Sequence, residues 1–396
     1  MNERVSELGA VRQDWARLSR GENVFATWEW ADAWRRHLGG DEELAIGIVR
    51  RGDGAASAIL PLCVTRHASL RVARFIGGGP SDQLGPLYDP GISPDAAADL
   101  LRRHVTDTLG GGGLFLGERI WGAESLAHDV GEVIHHTASP VLPLRGTGFD
   151  ELLAARSRNF RSQVRRRERR LHRAGTVVYR LTEDPDRLDA DMRTLMSLHA
   201  ARWHGPNAFS GKRAAFHLDF ARSALRNGWL RLWTLELDGR PAAAWYGLRY
   251  GGIEYYSQSG RDPAFNSVHV GFVLLCHTIR SAMEEGMREY RFGRGDEAYK
   301  SRFAELDPGL DTTAIAAGVR GRLALAGVKA LLGMPPGVRT AARRAASLVD
   351  RSDAGRRSGQ PPPAGSPDAP RDPLLARHAT GHRTADPPSA QRWPGT

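Results

Sequence analysis

The run Gly293-Arg294-Gly295-Asp296-Glu297-Ala298-Tyr299-Lys300-Ser301-Arg302-Phe303 gathers more chemically useful side chains than any other stretch of this sequence. It follows a short apolar segment, and loops that leave core strands are where function concentrates. Asp296 or Glu297 suits the role of a general base, Tyr299 that of a general acid, and Lys300 that of a partner for an anionic group or a developing oxyanion. Lys300 is one of only three lysines, with Lys212 and Lys329, in a chain whose basic residues are otherwise arginine. A lysine kept there points to a need for a compact ammonium or a group that can change its pKa; chance retention is the competing account.

Other candidates lie upstream. Gly260, Arg261 and Gly271 sit in and just after the polar segment Ser259 to His269, ahead of an apolar helix. The free amides at a helix N-terminus attract anions, and an arginine adds a charge-assisted contact. Alternatively, Arg261-Asp262-Pro263 is a turn with a local ion pair. His199 lies beside Leu195 and Leu198 in a helix expected over Ala190 to Trp203, and reads equally as a proton carrier or as a core histidine. Tyr255 and Tyr256 must point to opposite faces of one strand, so one packs while the other, taken as Tyr256, lines a cleft. In the first half, Gly77 to Gly85 offers Ser81 and Asp82 as polar contacts among glycines that permit close approach; an ordinary surface loop has the same composition.

The elements that must position these groups are legible between Trp229 and Phe303. Leu230 to Leu237, the turn Asp238-Gly239, Ala242 to Tyr250, the turn Gly251-Gly252 and Ile253 to Gln258 form an antiparallel meander. Phe272, Leu275, Cys276, Ile279 and Met283 then recur at helical spacing up to Gly286, and Arg288 to Phe292 is a short strand. In the first half, Val24 to Leu38 reads as an amphipathic helix. Ala45 to Val49 and Ala58 to Val64 form a hairpin around Gly52-Asp53-Gly54, and Arg71 to Ile76 is a further strand. Between the halves, Glu151 to Ala174 reads as one long basic helix ended by Gly175. Its arginines are a solvated face or, with Arg158, Arg161 and Arg165 one turn apart, a phosphate-binding face.

At these residues the chain resembles the GNAT superfamily. It is similar in particular to the CelD/BcsL-type acetyltransferases associated with cellulose biosynthesis, with the Fem-type aminoacyltransferases as cousins. The resemblance rests on Leu198-His199-Ala200-Ala201-Arg202-Trp203, Asp238-Gly239-Arg240-Pro241-Ala242-Ala243, Gly260-Arg261-Asp262, Gly271 and Tyr299-Lys300-Ser301-Arg302-Phe303. It departs at Ser267-Val268-His269-Val270, where an aromatic-Ser-Pro run is usual, and it lacks the Gln/Arg-x-x-Gly-x-Gly pattern. The resemblance implies an α/β fold of tandem GNAT-like domains with mixed, mainly antiparallel sheets. It also implies acetyl-CoA or another acyl-CoA as donor, with Gly260, Arg261 and Gly271 at the cofactor. Asp296 or Glu297 would deprotonate the acceptor and Tyr299 would protonate the leaving thiolate. Ser81, Asp82, Tyr256 and Arg161 would meet substrate, a small molecule or saccharide precursor, with aminoacyl-tRNA as the alternative donor and a non-catalytic scaffold as the third reading.

Composition bounds the rest. With 396 residues, 41% of them hydrophobic, the chain can bury a substantial core. The expected organisation is a first half over 1–145, a basic connector over 146–175, a second half over 176–320, an amphipathic helix at 321–349 that can touch a membrane through 327–348, and a disordered tail over 350–396. The net charge of +10 is mostly arginine in a chain rich in Ala, Gly and Pro, so it argues little for a nucleic-acid partner. Cys63 and Cys276 suggest neither a disulfide framework nor a metal cluster. No signal peptide or spanning segment is visible, which makes a cytoplasmic location the expectation. No Walker loop, Rossmann fingerprint, zinc spacing or Ser-His-Asp order is present, which argues against kinase, dehydrogenase and hydrolase chemistry.

Overall fold

Asp238 and Gly239 both take positive φ (50° and 75°), the pair of left-handed residues that a tight hairpin turn demands, and the strands they join pair from Leu230↔Leu248 to Leu237↔Arg240. The same logic builds two mixed sheets in the computed structural model, which describes residues 2–334 except 22, 41, 68–69, 124–125, 147 and 202–206. The tail over 350–396 and the Arg202-Trp203 pair lie outside the described residues.

The first sheet has the order β1 (Asn2–Val5), β2 (Glu43–Arg50), β3 (Ala56–His67), β4 (Leu70–Phe75), β6 (Gly113–Trp121), β14 (Leu310–Ala317) and β7 (Glu132–Thr137), with β5 (Leu87–Tyr88) pairing β3. The second has the order β8 (Val141–Pro143), β13 (Glu289–Arg291), β12 (Ile253–Arg261), β11 (Arg240–Tyr250), β10 (Leu230–Leu237) and β9 (Val177–Leu181). Each sheet therefore borrows a strand from the other half of the chain: β14 enters the first sheet from beyond residue 309, and β8 enters the second from before residue 144. Cuts at 145 and 320 would sever both exchanges.

The helices are α1 (Arg12–Leu18), α2 (Trp28–His37), α3 (Pro94–Leu109), α4 (Leu126–Val130), α5 (Phe149–Ala154), α6 (Arg158–Ala174), α7 (Pro185–Ala200), α8 (Lys212–Arg226), α9 (Val270–Glu284) and α10 (Gly318–Gly333). The segment expected as one helix over 24–38 is a 3-10 turn followed by α2, because the Thr27 hydroxyl accepts from the Trp30 amide and restarts the helix. The basic connector also divides. Ser157 caps α6 by accepting from the Phe160 amide, so α5 and α6 are separate rather than one helix from Glu151. Gly175 ends α6 as expected, in an extended conformation.

A shared core joins the halves. Trp30 of α2 meets Phe216 and Phe220 of α8 edge-on at 4.9 and 4.7 Å, and Phe25 reaches Tyr255 of β12 at 5.6 Å. Buried aromatic pairs of this geometry add roughly 0.5–1.5 kcal/mol each beyond burial. The other face of the second sheet is covered by α5, α6 and α9, around Phe160, Val164, Val273, Ile279, Tyr290 and Phe303.

Candidate active site

The second sheet opens at β12 and β13. These parallel strands pair only from Ile253↔Glu289 to Tyr255↔Arg291, after which β13 ends while β12 continues alongside β11 to Arg261. Just past the last shared pair, the register on β11 shifts from Gly247↔Tyr256 to Tyr246↔Gln258. Ser257 is the extra residue of a bulge, and such a residue is left out of the ladder. A backbone amide released from a ladder by a bulge can donate to a carbonyl oxygen that gains charge.

On one face of the sheet, the gap leads to the N-terminus of α9. His269 adopts φ 57° and turns the chain from the 3-10 segment Pro263–Val268 into α9, whose first amides receive no cap from its side chain. The charged groups acting on His269 are Arg167, Arg170 and Arg166 of α6, and with burial they lower its pKa. Arg167 lies 4.4 Å over the Phe272 ring, and its own pKa is lowered by burial and by Arg302. Arg261 approaches from β12: its Cδ would be 3.6 Å from a side chain at Gly271, and its Nε donates to Asn266 at 2.8 Å. Free amides, a helix dipole and converging arginines make an anion cradle suited to a pyrophosphate.

On the opposite face, Arg291 stacks 4.3 Å over Trp121 of β6 and donates to Gln83 at 3.1 Å. It borders a cavity of about 300 Å³ in the first half, lined also by Asn23, Leu84, Leu87, Tyr88 and Ile120. The glycine loop of the first half closes over this region. Asp82 pairs with Arg294 at 2.7 Å, and a side chain at Gly293 would meet Asp82 Oδ2 at 2.8 Å and the Tyr256 carbonyl at 3.0 Å. Arg119, left-handed within β6, holds the loop by donating to the Gly79 and Ser81 carbonyls and the Ser81 hydroxyl. Burial pulls its pKa down to about 10, and Arg294 contributes.

The structure thus joins two loops that are two hundred residues apart in sequence, and it redistributes the expected roles. Lys300 is buried and wraps the second loop: its ammonium donates to the carbonyls of Gly293 (3.3 Å), Arg294 (2.6 Å) and Gly295 (3.4 Å), and pairs with Glu297 at 2.8 Å. It organises the backbone beside Asp82. Glu297 is engaged there, and Asp296 is exposed at the loop's rim. Tyr256 and Tyr299 both lie near buried Tyr290, and the Tyr256 hydroxyl shares a 2.5 Å hydrogen bond with Ser259. Ser81 is buried with its hydroxyl on Arg119.

Four expected site residues sit in regular structure. Gly260 and Arg261 belong to β12 rather than to a loop, because the backbone goes on pairing with Ala244 and Ala243. A side chain at Gly260 would strike the His199 amide at 2.3 Å, so its smallness admits α7. His199 is buried at that contact against Phe209, at 5.1 Å, which is the core reading. Arg161 donates to the Ala154 and Arg156 carbonyls at the end of α5, at 2.9 and 2.6 Å. Arg166, Arg167, Arg170, Arg302, Arg119, Trp121 and Arg291 were missed. For Arg167 a signal existed: Phe160, Val164 and Leu171 mark the buried stripe of α6, and Arg167 falls on it.

A short parallel pair beside an antiparallel meander, a bulge and a helix N-terminus fit the GNAT acetyltransferase fold that the chain carries. Residues 158–301 match the Acetyltransferase (GNAT) domain family. FemX superimposes with a TM-score of 0.55 at 11% identity, covering 82% of this chain and 98% of that one. The C-terminal domain assigned to a lysylphosphatidylglycerol synthetase from Agrobacterium fabrum gives 0.53 at 14% identity, covering 84% and 99%. At these identities the likeness is one of fold. No curated protein sequence matches the chain. Among the described residues, no cluster of His, Cys, Asp and Glu could hold a metal, and no helix is long and apolar enough to cross a membrane.

Proposed function

We propose that the protein is an acyltransferase that takes its acyl group from acetyl-CoA or another acyl-CoA and passes it to an amine or hydroxyl acceptor. The observation that carries this reading is the placement of the Ser257 bulge between the arginine-lined N-terminus of α9 on one face and the Arg291 cavity on the other. Arg167, Arg261 and the first amides of α9 hold the donor's pyrophosphate. The Ser257 amide donates to the thioester oxygen as the acceptor attacks. Asp82 takes the acceptor's proton, directly or through water, and Tyr299 or Tyr256 returns a proton to the departing thiolate. Lys300 acts as a positioning residue through the carbonyls it binds. The acceptor enters from the cavity that Arg291 borders, whose amide, phenol and indole groups suit a saccharide precursor of the kind the CelD/BcsL resemblance suggests, in a cytoplasmic setting.

Thioester turnover with a panel of acyl-CoAs tests the reading. Neither turnover nor thermal stabilisation by any acyl-CoA would end it. One observation favours an aminoacyl-tRNA donor instead: Arg165, Arg169, Arg173 and Arg280 border a second concavity of about 550 Å³ on the outer flank of α6. Steeply salt-dependent tRNA binding, lost in Arg169→Glu/Arg173→Glu, would replace acyl-CoA with that donor.

A further inference from the structure

Helix α10 is apolar on two opposite faces. Ala324, Leu325 and Val328 turn inward and pack over β6 and β14 with Val72, Leu114 and Leu116. On the outer side, Val319 and Leu323 are 64% and 68% exposed, and Met334 is 40% exposed. With Ala326 and Ala330, also exposed, these positions follow one another at helical spacing along a single stripe. An exposed apolar stripe of this kind marks a surface that a partner or a membrane covers. No described residue covers this stripe.

The charges bordering the stripe say what would. On a helical wheel, Arg320 lies on one side of it, and Arg322 and Lys329 lie on the other. Lys329 also reaches Glu132 of β7. The sequence from Gly318 to Val349 contains no aspartate or glutamate, and it adds Arg339, Arg343 and Arg344 beyond α10. A second copy of this face would set cations against cations, and so would the arginine-rich segment that follows. An anionic lipid surface offers both an apolar layer for Val319 and Leu323 and negative headgroups for the flanking cations.

We infer that α10 lays the protein on an anionic membrane surface, with the Val319, Leu323 and Met334 stripe entering the acyl boundary and Arg320 and Arg322 meeting lipid phosphates. The expectation over 321–349 placed the basic helix further along the chain; the exposed stripe starts at Val319, and the part beyond residue 334 lies outside the described residues. This inference does not depend on the acyl-transfer reading.

Co-sedimentation of the full chain with phosphatidylglycerol/phosphatidylcholine vesicles, and with phosphatidylcholine vesicles alone, is the test. Binding to the anionic vesicles should weaken at high salt, and it should fall roughly tenfold or more in Arg320→Gln/Arg322→Gln, given the worth of each cation near such a surface. Val319→Asp/Leu323→Asp should abolish it while leaving the melting temperature unchanged, since both side chains are exposed. Val319→Ser/Leu323→Ser, which adds no charge, should weaken it as well. The inference is overturned if the full chain stays in the supernatant with anionic vesicles, or if it binds both vesicle types equally. It is also overturned if the aspartate variant instead dissolves a dimer seen by light scattering, which would assign the stripe to a second copy.

Discussion

Two charged regions lie along β12, one near each end, and they do opposite things. Near its start, Glu254 is fully buried between Arg231 and Arg249, both at 3.3 Å, while Glu285 at the end of α9 closes the network with the same two arginines and Ser281. Burial pushes Glu254 up to about 7 against the pull of the arginines, whereas hydrogen bonding from Arg249 holds Glu285 down at about 2. Every charge there has a partner within the protein. Past the Ser257 bulge, by contrast, Arg167 lies over the Phe272 ring and close to Arg302, and after burial the groups that lower the pKa of His269 are three arginines of α6. Charge density alone separates nothing. A region closed by its own counter-charges holds the fold, and a region rich in one sign suits a ligand of the other.

Breaking the closed region should give the largest effect. Glu254→Ala leaves two buried guanidinium groups short of a partner and should cost about 3–5 kcal/mol, read as a lower denaturant midpoint. The same stability loss in Arg167→Ala would erase the contrast. Next in size is the loss of a proton acceptor: Asp82→Asn should lower kcat by about 10²–10⁴ with the fold intact if Asp82 is the base. Lys300→Met should lower kcat too, with a measurable loss of stability, since it removes the donor to three carbonyls.

A pH series sharpens the contrast differently. His217 is wholly buried, and burial, followed by Arg213 and His199, lowers its pKa to about 3. The unfolded chain binds this proton near pH ~6.5 and the folded chain does not, so stability is full above that pH. It should fall by up to about 1.4 kcal/mol per unit as the pH drops below it. His277, lowered to about 4, adds in the same direction. Melting curves between pH 7 and pH 4 should show this slope flattened in His217→Phe; an unchanged slope would assign it elsewhere. The smallest effect is expected for Asp296→Ala, within about 0.5 kcal/mol of wild type, because an exposed rim residue has little to lose.

Much of this was legible because it is local. Asp238-Gly239, the alternation of β10 to β12 and the apolar stripe of α9 are written in neighbouring residues, and so was the chemical weight of the Asp82 and Lys300 loops. What stayed hidden depends on long-range pairing. Nothing near Leu310 announces that β14 will enter the first sheet, and nothing near Asp82 announces Arg294. The Ser257 bulge appears only as a slip of register between two strands. Lys300 stands out in the sequence as a lysine among arginines, yet three of its partners are backbone carbonyls, which carry no sequence signature. The contacts of Arg161 are hidden for the same reason: the carbonyls it meets lie at and just after the end of α5, ahead of the break that the Ser157 cap marks.

The central claim is that the arginines around the N-terminus of α9 hold a pyrophosphate. Isothermal titration of acetyl-CoA into the full chain, beside Arg167→Ala/Arg261→Ala and the outer-flank control Arg169→Ala, tests it directly. The account expects micromolar binding that the first variant weakens at least tenfold and the control leaves within about twofold, in keeping with charge-assisted contacts worth more than ~1.4 kcal/mol together. Equal binding by all three proteins, or loss in the control alone, would contradict it.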